Sequence, residues 1–415
     1  MKFRKLAVIL VSAIALCGCS KGDVKTEPSK LPPDTPYCRN VMETESGYYY
    51  NVTRTLSLRY TEKASGNDIF LCAKPECMHD GNEACTATYN NLIVSEPVLY
   101  NGYIYFVGGI STKETVGYTL YKAAPDGSSL DKIADIAEEK KPPQYEPCMG
   151  LHINFIIHKG YVYVSYVIGC PTAIDFIQSG LAKVNIQTGE TELIFSHDDF
   201  VKSSEYSVYA GSGDYVFYNV VESSGSGDAP ENYRYNIKTG ESERVISEDN
   251  STLTIACFDE KTVYYKYFNR ENEVVILKGY DIETLEPNGI EINTGERITR
   301  SDILYYEDKF FFWGDKDIKI LSKEGELLGK FSDTPVENYI YSSNDIFDIS
   351  DNKLYISVSL AGDEMCSESS EIYCCNIDDI LSGNAKWKKA YTKNSWSEYW
   401  DEDPIMKSLQ TEEGE

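Results

Sequence analysis

The sequence predicts an all-β fold, a seven-bladed β-propeller of four-stranded antiparallel blades, and three observations carry that reading. A turn pair, then an apolar run closing on an aromatic, occurs at Tyr100-Asn101-Gly102-Tyr103-Ile104-Tyr105. It recurs at 158–163, 213–217, 260–264, 308–312 and 352–355, with a weaker copy at Ser46–Tyr50. The closing aromatics Tyr50, Tyr105, Tyr163, Phe217, Tyr264, Phe312 and Tyr355 are 55, 58, 54, 47, 48 and 43 residues apart, a period that marks propeller blades or a similar array. Composition is the second observation: 33 tyrosines and 42% hydrophobic residues among 415 suit pleated, half-buried surfaces better than helices. The third is turn chemistry. Asn185-Ile186-Gln187-Thr188-Gly189-Glu190 is matched by Asn236–Glu241, and Ala64–Asn67, Pro125–Gly127 and Lys323–Gly325 are comparable. Gly, Asn and Asp there supply the positive φ of tight hairpins.

In chain order, residues 1–18 read as an export signal. Lys2, Arg4 and Lys5 precede the 11-residue apolar run Leu6–Leu16, which is too short to span a bilayer permanently. The run ends in Leu16-Cys17-Gly18-Cys19-Ser20, which resembles a bacterial lipobox. That resemblance implies cleavage before Cys19, diacylglycerol on the Cys19 sulfur and acylation of the new amine by chains such as palmitate. The alternative is an ordinary secretory signal with an incidental cysteine. Two or three acyl chains hold a protein on a membrane durably where one does not, so the expected location is the cell membrane, lipid-anchored, on its extracytoplasmic face. Residues 19–36 are then a polar, Pro-rich tether. Extended at about 3.3 Å per residue, Ser20–Thr35 reaches about 50 Å.

Residues 37–392 form the expected propeller. Its third copy reads as strands over Ile153–Ile157, Tyr161–Ile168, Leu181–Ile186 and Thr191–Phe195. Long connections are expected between second and third strands (Gly108–Gly117, Gly169–Gly180, Glu222–Asn232, Ala361–Glu371) and between blades (Cys72–Asn91, Lys140–His152). In a propeller both classes emerge on one face around the central channel, and loops on a rigid scaffold usually carry binding groups. The acidic tail 393–415 has only Trp396, Tyr399 and Trp400 as anchors.

Formal net charge is −27, and removal of Lys2, Arg4 and Lys5 leaves 36 basic against 66 acidic residues, or −30. Such a surface repels nucleic acid and anionic membranes and favours cations or basic partners; the plainer reading is solubility. Once Cys17 is cleaved off and Cys19 lipidated, ten cysteines remain: Cys38, Cys72, Cys77, Cys85, Cys148, Cys170, Cys257, Cys366, Cys374 and Cys375. An even set in an exported protein invites disulfides. Cys257 reads as a buried thiol of an innermost strand, and adjacent Cys374 and Cys375 point to opposite faces. The other seven fall on the long-loop face.

The densest cluster is Cys72-Ala73-Lys74-Pro75-Glu76-Cys77-Met78-His79, completed by Cys85. Three thiolates and an imidazole make a complete tetrahedral zinc set with no position left for water, hence a structural clamp between blades one and two. The alternative is that two of the thiols form a disulfide and His79 is incidental. The block Leu-Cys-x-Lys-Pro-x-Cys-x-His-Asp…Cys-x-Ala, following a lipobox leader and a strand, resembles a motif in uncharacterised lipoproteins of clostridia-type Gram-positive bacteria with repeats of the DUF5050 and PQQ-like propeller kind. The resemblance implies no activity. Quinone binding does not carry over, because the Trp-type docking signature is absent.

Of the other histidines, His152 begins an inner strand, His158 lies in a short turn and His197 opens His197-Asp198-Asp199. No G-x-S-x-G, H-E-x-x-H, P-loop or EF-hand pattern occurs, and Asp348/Asp351 is no more than an acidic turn pair. The leading expectation is a non-enzymatic, membrane-anchored propeller binding a protein, peptide or glycan through its long loops, with Tyr48–Tyr50 and Tyr206–Tyr218 as candidate stacking groups. The alternatives are a propeller hydrolase or lyase acting on polysaccharide, and a structural subunit of a cell-envelope complex.

Overall fold

The structure is a computed structural model that describes residues 41–52, 57–79, 85–87, 95–111, 115–140, 148–149, 153–169, 176–197, 204–222, 231–245, 254–269, 271–297, 303–313, 317–331, 347–359 and 370–393. The leader, Cys19, the tether, Cys38, Cys170, Cys366, His152 and the tail beyond 393 lie outside these residues.

The described residues form seven antiparallel sheets, each from consecutive strands in sequence order, arranged as a seven-bladed propeller. Blade 1 holds β1 (Met42–Glu43), β2 (Gly47–Val52), β3 (Ser57–Glu62) and β4 (Asp68–Phe70). Blade 2 holds β5 (Val98–Tyr100), β6 (Tyr103–Ser111), β7 (Thr115–Ala123) and β8 (Leu130–Lys140). Blade 3 has β9 (Cys148–Met149), β10 (Asn154–His158), β11 (Tyr161–Gly169), β12 (Phe176–Asn185) and β13 (Thr191–His197), with β9 pairing to the far end of β11. Blade 4 is β14 (Ser204–Ser212), β15 (Tyr215–Glu222), β16 (Glu231–Asn236) and β17 (Ser242–Arg244). Blade 5 is β18 (Thr254–Phe258), β19 (Thr262–Asn269), β20 (Val274–Asp281) and β21 (Pro287–Asn293). Blade 6 is β22 (Leu304–Tyr306), β23 (Lys309–Trp313), β24 (Ile318–Ser322) and β25 (Leu327–Phe331). Blade 7 is β26 (Phe347–Ser350), β27 (Lys353–Ser359), β28 (Ser370–Asn376) and β29 (Lys388–Lys393), with the short helix α1 (Ile377–Leu381) between its last two strands.

The turns have the conformation their residues favour. Asn101-Gly102, Lys159-Gly160, Glu307-Asp308 and Asp351-Asn352 all have paired positive φ, the backbone of a two-residue hairpin loop that matches strand twist. Between third and fourth strands the left-handed residue is Gly66, Gly127, Gly189, Gly240 or Gly325 in blades 1, 2, 3, 4 and 6, and Leu285 in blade 5. In two of these turns Asn185 and Asn236 accept the N–H groups two and three residues on, holding the turn before the glycine.

The core is seven apolar clusters, each straddling two consecutive blades. Tyr105, Val107, Val162 and Val184 join blades 2 and 3; Phe311, Trp313, Leu354 and Ile356 join 6 and 7; Val41, Tyr48, Tyr50, Tyr355 and Tyr391 join 7 to 1 and close the ring. Both faces of each sheet are therefore buried, so the second strands read as continuous apolar runs rather than alternating ones. One consequence concerns register. In blades 2, 3, 4, 5 and 7 the closing aromatic faces the next blade. In blades 1 and 6 that place belongs to Tyr49 and Phe311, while Tyr50 and Phe312 face the preceding blade.

The loop expectations change in several places. The connection expected at Gly108–Gly117 is mostly strand, since β6 and β7 stay paired out to Ser111 and Val116. Gly117 is required there by close approach, because a Cβ would meet the Ala137 carbonyl oxygen at 2.2 Å. The Lys140–His152 connection contains β9. Tyr48–Tyr50 and Tyr206–Tyr218 are not loops: Tyr48–Tyr50 lie in β2, and Tyr206 and Tyr218 pack between blades 3 and 4.

Ring closure has a polar latch beside its apolar cluster. Glu43, with its side chain 3% exposed, accepts Lys63 Nζ, Lys353 Nζ and the Tyr355 hydroxyl, each at 2.6 Å, and Asp348 accepts the Val41 N–H. Removing one partner of a buried pair typically costs 3–5 kcal/mol. Because both lysines reach solvent, Glu43→Ala is expected to destabilise the propeller by about 2–3 kcal/mol. Urea unfolding measures it, and an unchanged midpoint removes the latch from the account of closure.

Candidate metal centre

The cluster begins where the outer strand of blade 1 ends. After β4 the chain leaves the sheet, with Leu71 N–H still bonded to the Leu58 carbonyl, and Ala73 N–H donates to Gly127 in the third-to-fourth turn of blade 2. Neighbouring blades also meet where the Thr191 hydroxyl of β13 donates to the Asp135 carbonyl of β8, and where the Arg234 guanidinium of β16 donates to the Ile282 carbonyl in the third-to-fourth turn of blade 5. The cluster therefore sits on the outer rim, in the seam between blades 1 and 2, rather than at the mouth of the central channel.

Four ligand atoms converge there. The Sγ atoms of Cys72, Cys77 and Cys85 and a ring nitrogen of His79 all lie within 4.8 Å of one another, and His79 Nδ1 is 3.4 Å from Cys85 Sγ. Zinc bonds of about 2.3 Å to sulfur and 2.0–2.1 Å to nitrogen set tetrahedral ligand atoms roughly 3.5–3.8 Å apart. The four atoms thus need to contract by no more than about 1 Å. None of the three cysteines is in a disulfide. The cluster can hold a metal ion.

Local sequence explains the convergence. Cys77 N–H donates to the Lys74 carbonyl across the Pro75-Glu76 turn, folding Cys77 back toward Cys72. His79 has φ 55°, a left-handed conformation costing a non-glycine residue roughly 1–2 kcal/mol. Phe70 stacks on the imidazole at 4.5 Å between centroids, and the Arg59 guanidinium lies 4.0 Å from the Phe70 ring centre. Arg59 is fixed in turn by Asp68 at 2.5 Å, and Asp68 accepts the Tyr50 hydroxyl at 2.7 Å. Cys85 is buried in the interblade core with Leu58, Leu71 and Ala87, and its sulfur accepts the Ala87 N–H at 3.4 Å. Thr86 Oγ1 lies 2.8 Å from the Gly127 carbonyl oxygen. Ligand loop and blade 2 turn are thereby tied on both sides of the cluster.

The electrostatics favour a cation. Burial works against the Cys72 thiolate, but hydrogen bonds from Thr86, the Lys74 backbone and Cys77 outweigh it and bring Cys72 down to about 7. Burial, aided by crowding from Cys85 and Cys72 and opposed by the His79 backbone, pushes Cys77 up to about 11. One thiolate forms readily and the next resists sharing the space; a bound divalent ion removes that resistance by supplying the opposing charge.

Among the described residues, the others singled out in the sequence do not join this group. Cys257 is fully buried in β18. Cys374 packs toward blade 1 and Cys375 toward blade 6, on opposite faces as expected. Cys148 pairs with Gly169 at the end of β11. His158 is not in an exposed turn: it is the buried last residue of β10, with Nε2 3.0 Å from the Gly213 carbonyl oxygen. His197 ends β13. Asp348 accepts the N–H groups of Val41 and Ile349. What the sequence reading missed is the support: Phe70, Arg59, Thr86 and Gly127 are second neighbours of the ligands. The only sequence signal for two of them is that Phe70 and Thr86 flank the ligand block.

No protein-family model matches the chain, and a search of curated proteins finds no match. Among solved structures, oligogalacturonate lyase from Vibrio parahaemolyticus is similar at 10% identity and a TM-score of 0.48, covering 79% of this chain and 88% of that one. An oligogalacturonate lyase in complex with manganese gives 10% identity, a TM-score of 0.48 and coverages of 81% and 91%. Porphyromonas gingivalis dipeptidyl peptidase 4 gives 9% identity and a TM-score of 0.43, with 86% of this chain covering 53% of that protein. At this level of similarity the activities and the metal named for those proteins remain theirs.

Proposed function

We propose that this chain is a lipid-anchored, extracytoplasmic binding propeller whose rim is clamped by a structural zinc ion held by Cys72, Cys77, His79 and Cys85. The observation that carries the reading is the closed ligand set at a blade seam. Four protein ligands leave no coordination position for a substrate or an activated water, and the ion's place is beneath a turn of the neighbouring blade rather than at the channel. Its work is to hold the connection between blades 1 and 2. Soft thiolates with one imidazole suit zinc better than the oxygen-preferring manganese, magnesium or calcium.

Charged side chains in the short turns have structural partners. Asp214 is paired with Lys159 and Lys238, and Asp259 with Lys323 and the Tyr264 hydroxyl; these carboxylates tie neighbouring blades together. Binding falls to the long-loop face, whose occupant is a protein, peptide or glycan. The leader supplies the anchor, and residues 19–36 the reach above the membrane.

Cys19→Ala tests the anchor. The variant is expected to leave the membrane fraction, or to remain uncleaved, while the parent stays with membranes in high salt and partitions into detergent. Parent-like processing and membrane retention in the variant would rule out lipidation at Cys19. A glycan and peptide binding screen on the tether-free domain tests the rest, and catalytic turnover of any bound glycan would replace this reading with the lyase or hydrolase one.

A further inference from the structure

We infer that the rim cluster is a redox-released zinc site, in which oxidation joins Cys72 to Cys77 and expels the metal while Cys85 keeps its thiol. The inference rests on the zinc reading above and adds its regulation. Its basis is the asymmetry of the three thiols. Cys85 is 4% exposed, shut into the blade 1–2 core and bonded through sulfur to the Ala87 N–H. Cys72 and Cys77 are only partly buried, on a segment already turned back on itself by the Cys77 N–H to Lys74 carbonyl bond. Met78, next in sequence, is 77% exposed, so solvent reaches this side of the site. Their sulfurs lie within 4.8 Å, a gap that rotation about χ1 in a short loop closes.

The chemistry balances with hydrogen peroxide as oxidant. The Cys72 thiolate attacks one peroxide oxygen, the O–O bond breaks, and Cys72 becomes a sulfenic acid as hydroxide leaves and is protonated to water. The Cys77 thiolate then attacks the Cys72 sulfur, forming the S–S bond and displacing a second hydroxide, which takes up a proton. Two thiolates, one peroxide and two protons give one disulfide and two waters. Zinc is left with Cys85 and His79 alone and dissociates, because two ligands do not make a structural site. The Ala73 N–H to Gly127 bond that this segment makes to blade 2 loses its anchor, so oxidation loosens one seam of the ring. Thiol reductant with added zinc reverses the change.

The test uses the full tether-free domain loaded with zinc. Hydrogen peroxide is titrated in while a chromogenic chelator reports free zinc, and the product is cut with glutamyl endopeptidase. Cleavage after Glu76 and Glu83 separates Cys72, Cys77 and Cys85 onto different peptides. The expected result is one zinc released per disulfide, a Cys72–Cys77 linked peptide pair, a Cys85 peptide that still alkylates, and recovery of bound zinc on reduction. Zinc retained after peroxide is consumed, or a linkage through Cys85, or release accompanied only by sulfinic and sulfonic acids, overturns the inference and leaves the structural zinc site standing. Failure of the protein to take up zinc before any oxidant is added overturns the zinc reading itself.

Discussion

A chain ended at residue 346 loses cooperative folding. Removing blade 7 takes away one side of two interblade clusters at once. Phe311, Trp313, Ile318 and Ile320 lose Leu354, Ile356, Val358 and α1, while Val41, Tyr48, Tyr50 and Val52 lose Tyr355, Ile372, Cys374 and Tyr391. Burying a large apolar side chain stabilises by about 1.5–3 kcal/mol, so exposing these eight forfeits more than 10 kcal/mol, against a typical total of 5–15 kcal/mol. The Glu43 latch goes with them. Two apolar sheet faces meant for neighbours also become open to other chains. Calorimetry and tryptophan fluorescence are the measurements. A truncated chain that melts as sharply and as high as the parent would mean that the seventh blade contributes nothing to ring closure.

The blades were legible because turn chemistry and the repeat are local. Asn-Gly and Asp-containing hairpins announce themselves, and seven of them at similar spacing leave few folds. The facing of side chains was less legible. In Tyr48-Tyr49-Tyr50 and Phe310-Phe311-Phe312 three aromatics run together, and since both faces of a blade are buried, no polar alternation marks which one looks forward. A one-residue slip exchanges the two faces, and sequence offers nothing to resist it. Gly108 and Gly109 read as the start of a long connection but lie in paired strand, where tertiary approach outweighs propensity. The helix α1 was legible in principle and missed: Asn376 caps it by accepting the Asp378 N–H, and Asp378 and Asp379 fill its first turn. That Cys72, Cys77, His79 and Cys85 could gather as a metal-ligand set was legible from type and spacing, with a disulfide as the alternative. Their location was not, because it depends on the segment meeting the third-to-fourth turn of blade 2 at Gly127, a contact made only in the assembled ring.

Chelation at neutral pH is expected to strip about one equivalent of zinc from the purified domain and to expose the 72–85 segment to glutamyl endopeptidase at Glu76. His79→Ala reproduces this without chelator. The imidazole closes the tetrahedron against Cys85 at 3.4 Å and is held by the Phe70 ring, and three thiolates without it leave an open position and an excess of negative charge. Loss of an outer-shell support alone commonly costs 10–100-fold in affinity, and loss of a ligand costs more. The stability effect follows from linkage: with free zinc a thousandfold above its Kd the metal contributes about 4 kcal/mol, so the parent melts several degrees higher with zinc than after chelation, and His79→Ala shows no such difference. Acid acts in the same direction. Metal binding requires the Cys77 thiolate, whose proton is held to about 11 without metal, so affinity falls as pH falls and protons displace zinc. The remaining six seams keep their own apolar clusters, so far-UV circular dichroism should be nearly unchanged while the seam between blades 1 and 2 loosens. Protein purified under native redox conditions without metal, with Cys72, Cys77 or Cys85 in disulfides and equal melting for parent and His79→Ala, would leave the clamp to disulfide chemistry and His79 without a role in it.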